Sequence, residues 1–233
     1  MKILVVGNGA REHALVKKLI GESFVDSVIC APGNAGIERE HSTRVVPLNI
    51  SDAEAILSVA EAEAVDMTVV GPELPLANGV ADLFLTHGRF LFGPTKSAAR
   101  LESSKSFAKS FMARHGIPTA SFEICQNYEQ ALDLIRGDRF GASVVIKADG
   151  LAAGKGVTVA EDKETAELAI RDAMVERRFG DAGTSLVLEE CLTGPEVSYF
   201  VITDGTRFVA LPPAQDHKRA FDNDAGPNTG GMG

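Results

Sequence analysis

Short apolar runs alternate with stretches of helical periodicity along the first part of the chain. The run 2–6 breaks at the glycines of 7–9, and apolar side chains then recur every three or four positions up to Gly21. This order predicts a strand, a glycine turn and a helix. The alternation continues to about residue 95, which predicts an α/β fold with a parallel, Rossmann-like sheet and helices on both faces. The other predicted strands are 27–30, 44–48, 67–70 and 89–92, and the other predicted helices are 51–64, opened by a capping box of Ser51 and Glu54, and 76–85.

Three of the predicted strands end in glycine-rich turns that carry Arg11, Asn34 and Glu73. Because the carboxyl ends of parallel strands meet at one edge of the sheet, we expect a small phosphorylated, hydroxyl-bearing ligand at this rim. Arg11 lies beside the free N–H groups of a helix N-terminus, which suits a compact phosphate. The alternative is a tight turn with a solvated Arg11. A dinucleotide site is disfavoured, since Glu12 replaces the third glycine of G-x-G-x-x-G and no acid follows the second strand.

A second pattern follows residue 103. Residues 104–112 predict a helix that buries Phe107, Ala108, Phe111 and Met112, and Lys105 falls in its first turn, where the helix dipole disfavours a cation. Lys105 therefore indicates an anion nearby, or else is simply solvated. The predicted elements after it form a small α+β unit with antiparallel strands. They are strand 121–125, helix 128–135, a hairpin, helix 164–178 and strand 186–189.

The hairpin has a loop of glycine and alanine between two β-branched runs, 144–146 and 157–159. Lys147 closes the first strand and Lys155 lies in the loop, so that two cations meet a backbone without bulky side chains. We interpret this stretch as a phosphate flap, and the alternative is a flexible surface hairpin with solvated lysines. A Walker P-loop is excluded, because the spacing is one residue short, the magnesium-binding hydroxyl is missing and no helix follows.

The last part of the chain changes character. A hairpin is predicted for 197–202 and 208–211 through Asp204 and Gly205. Residues 215–233 are polar, rich in glycine and without periodicity, which predicts a loop.

Composition narrows the class of protein. With 45% hydrophobic residues, 24% charged residues and a net charge of −9, the sequence is typical of a globular protein and argues against a broad basic face for nucleic acid. No apolar run approaches the ~20 residues of a membrane span, and no signal-peptide pattern precedes the first strand. We therefore expect a cytoplasmic protein. Cys30, Cys125 and Cys191 lack C-x-x-C spacing and the five histidines lack ligand spacing, so we expect no disulfide and no metal site on them.

Eight motifs together resemble the glycinamide ribonucleotide synthetase (phosphoribosylamine–glycine ligase) family of the ATP-grasp superfamily. They are GNGAREH at 7–13, APGNAG at 31–36, GPE at 71–73, FGPT at 92–95, KADGLAAGKGV at 147–157, EECLTGPE at 189–196, QDHKR at 215–219 and GPNTGGMG at 226–233. The likeness is collinear over the whole chain, but it covers only the N-terminal part of the family. It implies a Rossmann-like substrate domain at 1–103, a linking helix at 104–122, a small ATP-grasp subdomain with the flap at 123–190, and the beginning of the central subdomain at 191–233.

The resemblance implies that ATP phosphorylates the carboxylate of glycine and that the amine of 5-phosphoribosylamine attacks the acyl phosphate. The products are glycinamide ribonucleotide, ADP and phosphate. The cofactors would be ATP and Mg²⁺, whose ligands are expected outside this chain, so we expect the chain alone to be inactive. The implied partners are small-molecule substrates, without nucleic acid or membrane, and a monomeric full-length protein.

The resemblance also implies roles for individual residues. Lys105, Lys147 and Arg219 would be catalytic. The nucleotide would be bound by Lys105, Lys147, Gly150, Gly154, Lys155, Gly156, Glu189, Glu190, Leu192 and Glu196. The substrates would be bound by Gly9, Arg11, Glu12, Asn34, Glu73, Asp216, Lys218, Asn228, Thr229 and Gly230.

Other classes of function remain as alternatives. A nucleotide-dependent oxidoreductase would need the missing third glycine and the missing acid. A nucleotide-binding fragment without catalysis, or a different ATP-grasp carboxylate–amine ligase, would keep the same flap and lysines.

Overall fold

The computed structural model describes residues 1–151, 156–215, 217–222 and 225–232, the last range and 217–219 by their backbone alone. The chain divides into two compact units, Met1–Cys191 and Leu192–Gly233. In the part of the chain that the structure describes, no helix is both long and apolar enough to cross a membrane.

The first unit begins with a parallel sheet of five strands, as predicted. The order β3-β2-β1-β4-β5 reverses direction between β1 and β4, which creates a topological switch point at the carboxyl ends of these two strands. The strands are β1 (Lys2–Gly7), β2 (Ser27–Pro32), β3 (Thr43–Val45), β4 (Met67–Val70) and β5 (Leu91–Phe92).

Helices cover both faces of this sheet because β1 is apolar on both sides. Ile3 and Val5 pack on one face with Val16 of α1 (Ala10–Ile20), and Leu4 and Val6 pack on the other. The helices on the second face are α2 (Ala53–Ala62), α3 (Glu73–Ala77), α4 (Val80–Thr86) and α5 (Lys96–Ser103), and a short 3₁₀ helix, Ile37–Arg39, follows β2.

Two predictions in this domain were wrong. The single helix at 76–85 is split into α3 and α4, because Gly79 adopts a left-handed φ of +95° between them. The capping box at Ser51 is one residue early. Asp52 caps α2 by accepting from Ala55 N–H at 3.0 Å, since the Ser51 hydroxyl donates to Asn49 Oδ1 instead.

The second sheet is antiparallel with the order β6-β9-β7-β8, and the hairpin predicted for the flap supplies β7 and β8. Its strands are β6 (Phe122–Cys125), β7 (Val144–Ala148), β8 (Val157–Ala160) and β9 (Leu186–Glu190), and its helices are α6 (Lys105–Arg114), α7 (Tyr128–Arg136) and α8 (Lys163–Met174), with a 3₁₀ helix at Gly180–Thr184.

Strand periodicity separates the core of this domain from its polar face. Ile146 and Leu188 pack with α7 and α8 in one apolar cluster. Lys147 and Glu189, one position further along each strand, point to the opposite face. Because Val145 pairs with Glu189 in the β7–β9 register, Lys147 and Glu189 are diagonal neighbours on that face.

Two further predictions on the helices were wrong. The helix predicted at 164–178 ends at Met174, and Arg177 already has a φ of +50°. On α6 the four predicted core residues are only half-buried, whereas Lys109 is buried. The predicted apolar face partly forms a surface stack, in which the Arg100 guanidinium lies 3.9 Å from the centre of the Phe107 ring.

The second unit consists of two hairpins. β10 (Val201–Thr203) pairs with β11 (Phe208–Ala210), and Asp204 Oδ1 closes the turn by accepting from the N–H groups of Thr206 and Arg207. The predicted loop at 215–233 was wrong, because β12 (His217–Phe221) pairs with β13 (Ala225–Met232). The two strands pair through backbone hydrogen bonds, with shifts in register. Their sequences do not alternate between apolar and polar residues, so no side-chain pattern predicts the pairing.

The three cysteines differ in accessibility, which makes a prediction about their reactivity. Burial raises the pKa of the Cys30 thiol to about 12 and that of Cys125 to about 11, whereas Cys191 is half-exposed. Since the thiolate is the nucleophile, iodoacetamide at pH 8 should modify Cys191 alone in the folded chain and all three after denaturation. Peptide mass mapping checks this, and native modification of Cys30 would contradict the buried sheet.

Candidate functional site

A buried carboxylate fills the crevice between β1 and β4. Glu12 is 5% exposed, and its Oε2 accepts a hydrogen bond from Gly9 N–H at 2.7 Å. A β-carbon added at Gly71 would lie 2.1 Å from Glu12 Oε1, and one added at Gly7 would lie 2.5 Å from its Cγ. Glycine at both positions therefore gives the glutamate its space. At the helix N-terminus, where free N–H groups were expected, the Gly9 N–H is occupied by this carboxylate.

Arg11 joins the ends of the same two strands. Its Nη1 donates to the Gly71 carbonyl at 2.8 Å and to Glu73 Oε1 at 3.1 Å, while the side chain remains 62% exposed. The structure thus brings Gly9, Arg11, Glu12 and Glu73 together at the switch point. An exposed guanidinium beside carboxylates can bind a ligand that carries both an anion and hydroxyl or amine donors.

Asn34 lies at this rim, but its polar atoms are bonded to the chain itself. Its Oδ1 accepts from the N–H groups of Gly36 and Ile37 at 2.8 and 3.0 Å, and its Nδ2 donates to the Asn8 carbonyl at 2.9 Å. Asn34 therefore holds the turn after β2 against the turn after β1.

A second buried carboxylate organises the polar face of the second sheet. Glu189 is 4% exposed, and Lys147 Nζ lies 2.9 Å from its Oε1 and 3.0 Å from its Oε2. Lys109 Nζ lies 2.8 Å from Oε2 and also donates to Thr119 Oγ1 at 2.6 Å. Although Oε1 is in ionic contact with Lys147, it accepts no hydrogen bond from the described residues. The pair geometry leaves one buried acceptor on this carboxylate.

Lys105 lies next to this cluster and contacts the root of the hairpin loop. Its Nζ donates to the Gly150 carbonyl at 2.9 Å, and burial lowers the pKa of its ammonium group against the opposing effect of Asp149. Asp149 accepts from Ser104 Oγ and Ser106 N–H, each at 3.1 Å, and from Ser106 Oγ. The anion expected near the first turn of α6 is thus Asp149 of the chain itself.

The other predicted nucleotide residues are distributed as follows. Gly150 has a left-handed φ of +137° and Gly156 is buried, whereas Gly154 and Lys155 lie outside the described residues. Glu190 Oε2 accepts from Ser121 N–H and Oγ at 3.3 and 3.0 Å. Leu192 and Glu196 are exposed in the second unit.

The predicted residues near the end of the chain lie on the last hairpin. Arg219 of β12 pairs with Asn228 of β13. Lys218 is on the same strand as Arg219, and Thr229 and Gly230 are on the same strand as Asn228. Asp216 lies outside the described residues.

Lys109 and Asp149 are site residues that the sequence reading missed. Lys109 follows Lys105 by one helical turn, so the spacing i, i+4 was a usable signal. Asp149 directly follows β7 before Gly150, in the manner of a turn residue. Within the described ranges, no group of three or more His, Cys, Asp or Glu side chains is arranged to hold a metal ion.

Comparison with known proteins gives a consistent family. "Phosphoribosylglycinamide synthetase, N domain" matches residues 1–102 and "Phosphoribosylglycinamide synthetase, ATP-grasp (A) domain" matches residues 103–233. The phosphoribosylamine–glycine ligase of Xylella fastidiosa is 52% identical over the whole chain, which covers 54% of that protein. The chain thus spans about half the length of the curated relatives it matches.

Two solved structures resemble the chain in fold. The crystal structure of phosphoribosylamine–glycine ligase from Thermotoga maritima superposes with a TM-score of 0.81 at 34% identity, over 100% of this chain and 54% of that one. An ADP complex of N5-carboxyaminoimidazole ribonucleotide synthetase superposes with a TM-score of 0.65 at 20% identity, over 96% and 55% of the two chains. The latter likeness extends to the fold alone, which is the ATP-grasp arrangement predicted from the motifs.

The contact between Glu12 and Gly71 makes a prediction. Gly71→Ala should destabilise the chain by about 1–3 kcal/mol, since the new methyl group and the carboxylate cannot share the crevice. In a Glu12→Ala background the same change should cost much less, because the clash is gone. Urea unfolding of the two single variants and the double variant measures this coupling, and equal costs in both backgrounds would contradict the packing of Glu12 on Gly71.

Proposed function

The chain belongs to the phosphoribosylglycinamide synthetase family, and we propose that it forms the ATP- and phosphoribosylamine-binding part of an enzyme that joins glycine to 5-phosphoribosylamine. The proposal assigns 1–103 to the amine substrate, 104–122 to the link, 123–190 to the nucleotide with its flap, and 191–233 to the start of the central subdomain. The protein is taken to be a cytoplasmic monomer that acts on small molecules, without a nucleic-acid or membrane partner.

The reaction proceeds by transfer of the γ-phosphoryl group of ATP to the carboxylate of glycine. The amine of 5-phosphoribosylamine then attacks the carbonyl carbon of glycyl phosphate, an amide bond forms, and phosphate leaves. Every participant carries an anionic group, so charge neutralisation and alignment contribute most of the rate enhancement. Mg²⁺ would supply further neutralisation of phosphate charge, but no group of three or more His, Cys, Asp or Glu side chains in the described part of the chain fits it, and no step is assigned to it.

The single observation that supports nucleotide binding best is the concentration of lysines beside the glycine loop. Lys105 contacts Gly150, and Lys147 lies on the strand that leads into the same loop. The Lys147 side chain is 28% exposed, so its ammonium group can reach a phosphate without leaving the domain surface. Two cations at a loop of small residues provide the contacts that a polyphosphate requires.

The nucleobase would lie against the polar end of β9. Glu189 Oε1 is buried and lies 2.9 Å from the Lys147 ammonium group, so it could accept a hydrogen bond from the exocyclic amine of adenine once Lys147 turns to a phosphate. The motif resemblance further assigns the backbone near Leu192 to the base and Glu196 to the ribose hydroxyls. Glu190, which is bound to Ser121, would hold the end of β9 in place.

The other substrates would occupy the remaining residue groups. 5-Phosphoribosylamine would lie at the rim, with its phosphate on Arg11 and its hydroxyl and amine groups on Glu73, while the bonded pair of Glu12 and Gly9 forms the floor of the rim and Asn34 shapes the turn. Glycine would be bound by the last hairpin. The residues proposed there are Asp216, Lys218, Arg219, Asn228, Thr229 and Gly230.

The first prediction concerns Lys147. Lys147→Met should raise the Kd of the chain for MgATP by about tenfold or more, since a charge-assisted contact to phosphate is lost, and should change adenosine binding much less. Isothermal titration calorimetry measures the Kd of the chain for both MgATP and adenosine. Lys163→Met is the matched control, because Lys163 is an exposed lysine of the same sheet domain that pairs with Asp138. Absence of ATP binding by the unmodified chain would overturn the proposed function.

The second prediction concerns Arg11. Arg11→Ala should weaken binding of ribose 5-phosphate by more than about tenfold and leave MgATP binding unchanged, since it removes only the proposed phosphate contact at the rim. NMR titration of the chain with ribose 5-phosphate provides the measurement. Arg136→Ala is the control, because Arg136 has a similar exposure of 56% and also pairs with one glutamate. An equal loss in both variants would remove Arg11 from the substrate site.

A further inference from the structure

Lys109 is the most deeply buried cation among the described lysines and arginines of the domain that contains the second sheet. Its side chain is 9% exposed, and its ammonium group contacts Glu189, Thr119 and, at 5.6 Å, the ring of Phe122. A lysine in such a place must recover its lost hydration through these contacts. The sequence motifs and the comparisons give this residue no role.

The two lysines on Glu189 are not equivalent. Lys147 is 28% exposed and contacts both carboxylate oxygens, whereas Lys109 is nearly enclosed and contacts Oε2 only. Lys109 is also anchored independently of Glu189, since Thr119 accepts a hydrogen bond from it at 2.6 Å. One cation of the pair is therefore fixed, and the other can move.

The proposed function requires Lys147 to turn from Glu189 towards a phosphate. If Lys147 were the only partner, this movement would leave a buried carboxylate without a counter-charge, which is strongly unfavourable. With Lys109 in place, Glu189 keeps one ion pair at Oε2, and its Oε1 becomes available to a donor on the base.

We infer that Lys109 is a positioning residue of the nucleotide site, which holds Glu189 by Oε2 so that Lys147 can exchange the carboxylate for a nucleotide phosphate. The inference rests on the proposed function, because it needs the nucleotide at this site. α6 contributes through its geometry, since Lys105 and Lys109 are one turn apart and the same helix supplies a phosphate contact and its support.

The test is a double-mutant cycle on MgATP binding by the chain, measured by calorimetry. Lys147→Met should weaken binding by about tenfold or more in the unmodified chain but by less than about threefold in a Lys109→Met background, because there Lys147 already stays on Glu189. A merely structural role of Lys109 would weaken binding but leave the factor for Lys147→Met the same in both backgrounds.

The outcomes separate the two levels of the proposal. No ATP binding by the unmodified chain overturns the proposed function and this inference with it. If Lys147→Met weakens ATP binding by the same factor with and without Lys109→Met, the inference about Lys109 is overturned, but the proposed function is not. Lys163→Met serves as the control in the same cycle, and its effect on MgATP binding should be the same with and without Lys109→Met. If its coupling to Lys109 were as large as that of Lys147, Lys109→Met would have caused a general loss of structure, and the inference would be overturned.

A second variant covers the case in which Lys109→Met fails to fold. Thr119→Val removes the hydroxyl anchor of Lys109 on an exposed residue and keeps both charges. In the Thr119→Val background, Lys147→Met should weaken MgATP binding less than it does in the unmodified chain, but more than it does in the Lys109→Met background. An unchanged factor in a folded Thr119→Val chain would overturn the fixed position assigned to Lys109.

Discussion

A buried carboxylate has to be met by positive charge or by hydrogen-bond donors, and in the second sheet this requirement falls on Glu189. The neighbouring residues of this strand point into the apolar core, whereas Glu189 points to the other side of the sheet. Its partners must therefore lie on that polar side. The register of β7 provides Lys147, and α6 provides Lys109. The Lys109–Glu189 contact holds α6 against the sheet together with the contacts that Ser104, Ser106 and Lys105 make with Asp149 and Gly150.

The first sheet satisfies its buried carboxylate, Glu12, by different means. No cation lies on Glu12 among the described contacts, and the carboxylate accepts a backbone N–H at the start of α1 instead. Gly7 and Gly71 leave it room. The first sheet thus satisfies its buried carboxylate with a backbone donor, and the second sheet does so with lysines.

Much of this architecture could be predicted from the sequence because it depends on local periodicity. The parallel sheet and the hairpin that carries Lys147 follow from apolar runs and glycine turns, and Lys105 was placed correctly in the first turn of a helix. The division between α3 and α4 depends on one left-handed glycine, and the cap of α2 depends on Asn49 competing for Ser51. The i, i+4 spacing places Lys109 on the same side of α6 as Lys105, but its burial depends on Glu189, which is distant in sequence. The β12–β13 pairing was missed because it carries no side-chain pattern.

The order of strands also bears on how the chain is made. β6 pairs with β9, the last strand of its sheet, and the contacts Ser106–Asp149 and Lys147–Glu189 join residues 43 and 42 positions apart. The first sheet, in contrast, is complete once β5 has been synthesised. During translation the first domain can therefore close early, while β6 lacks its paired strand until β9 leaves the ribosome. This interval is when the second domain is most exposed to misassembly, and a chaperone would act there rather than on the first sheet.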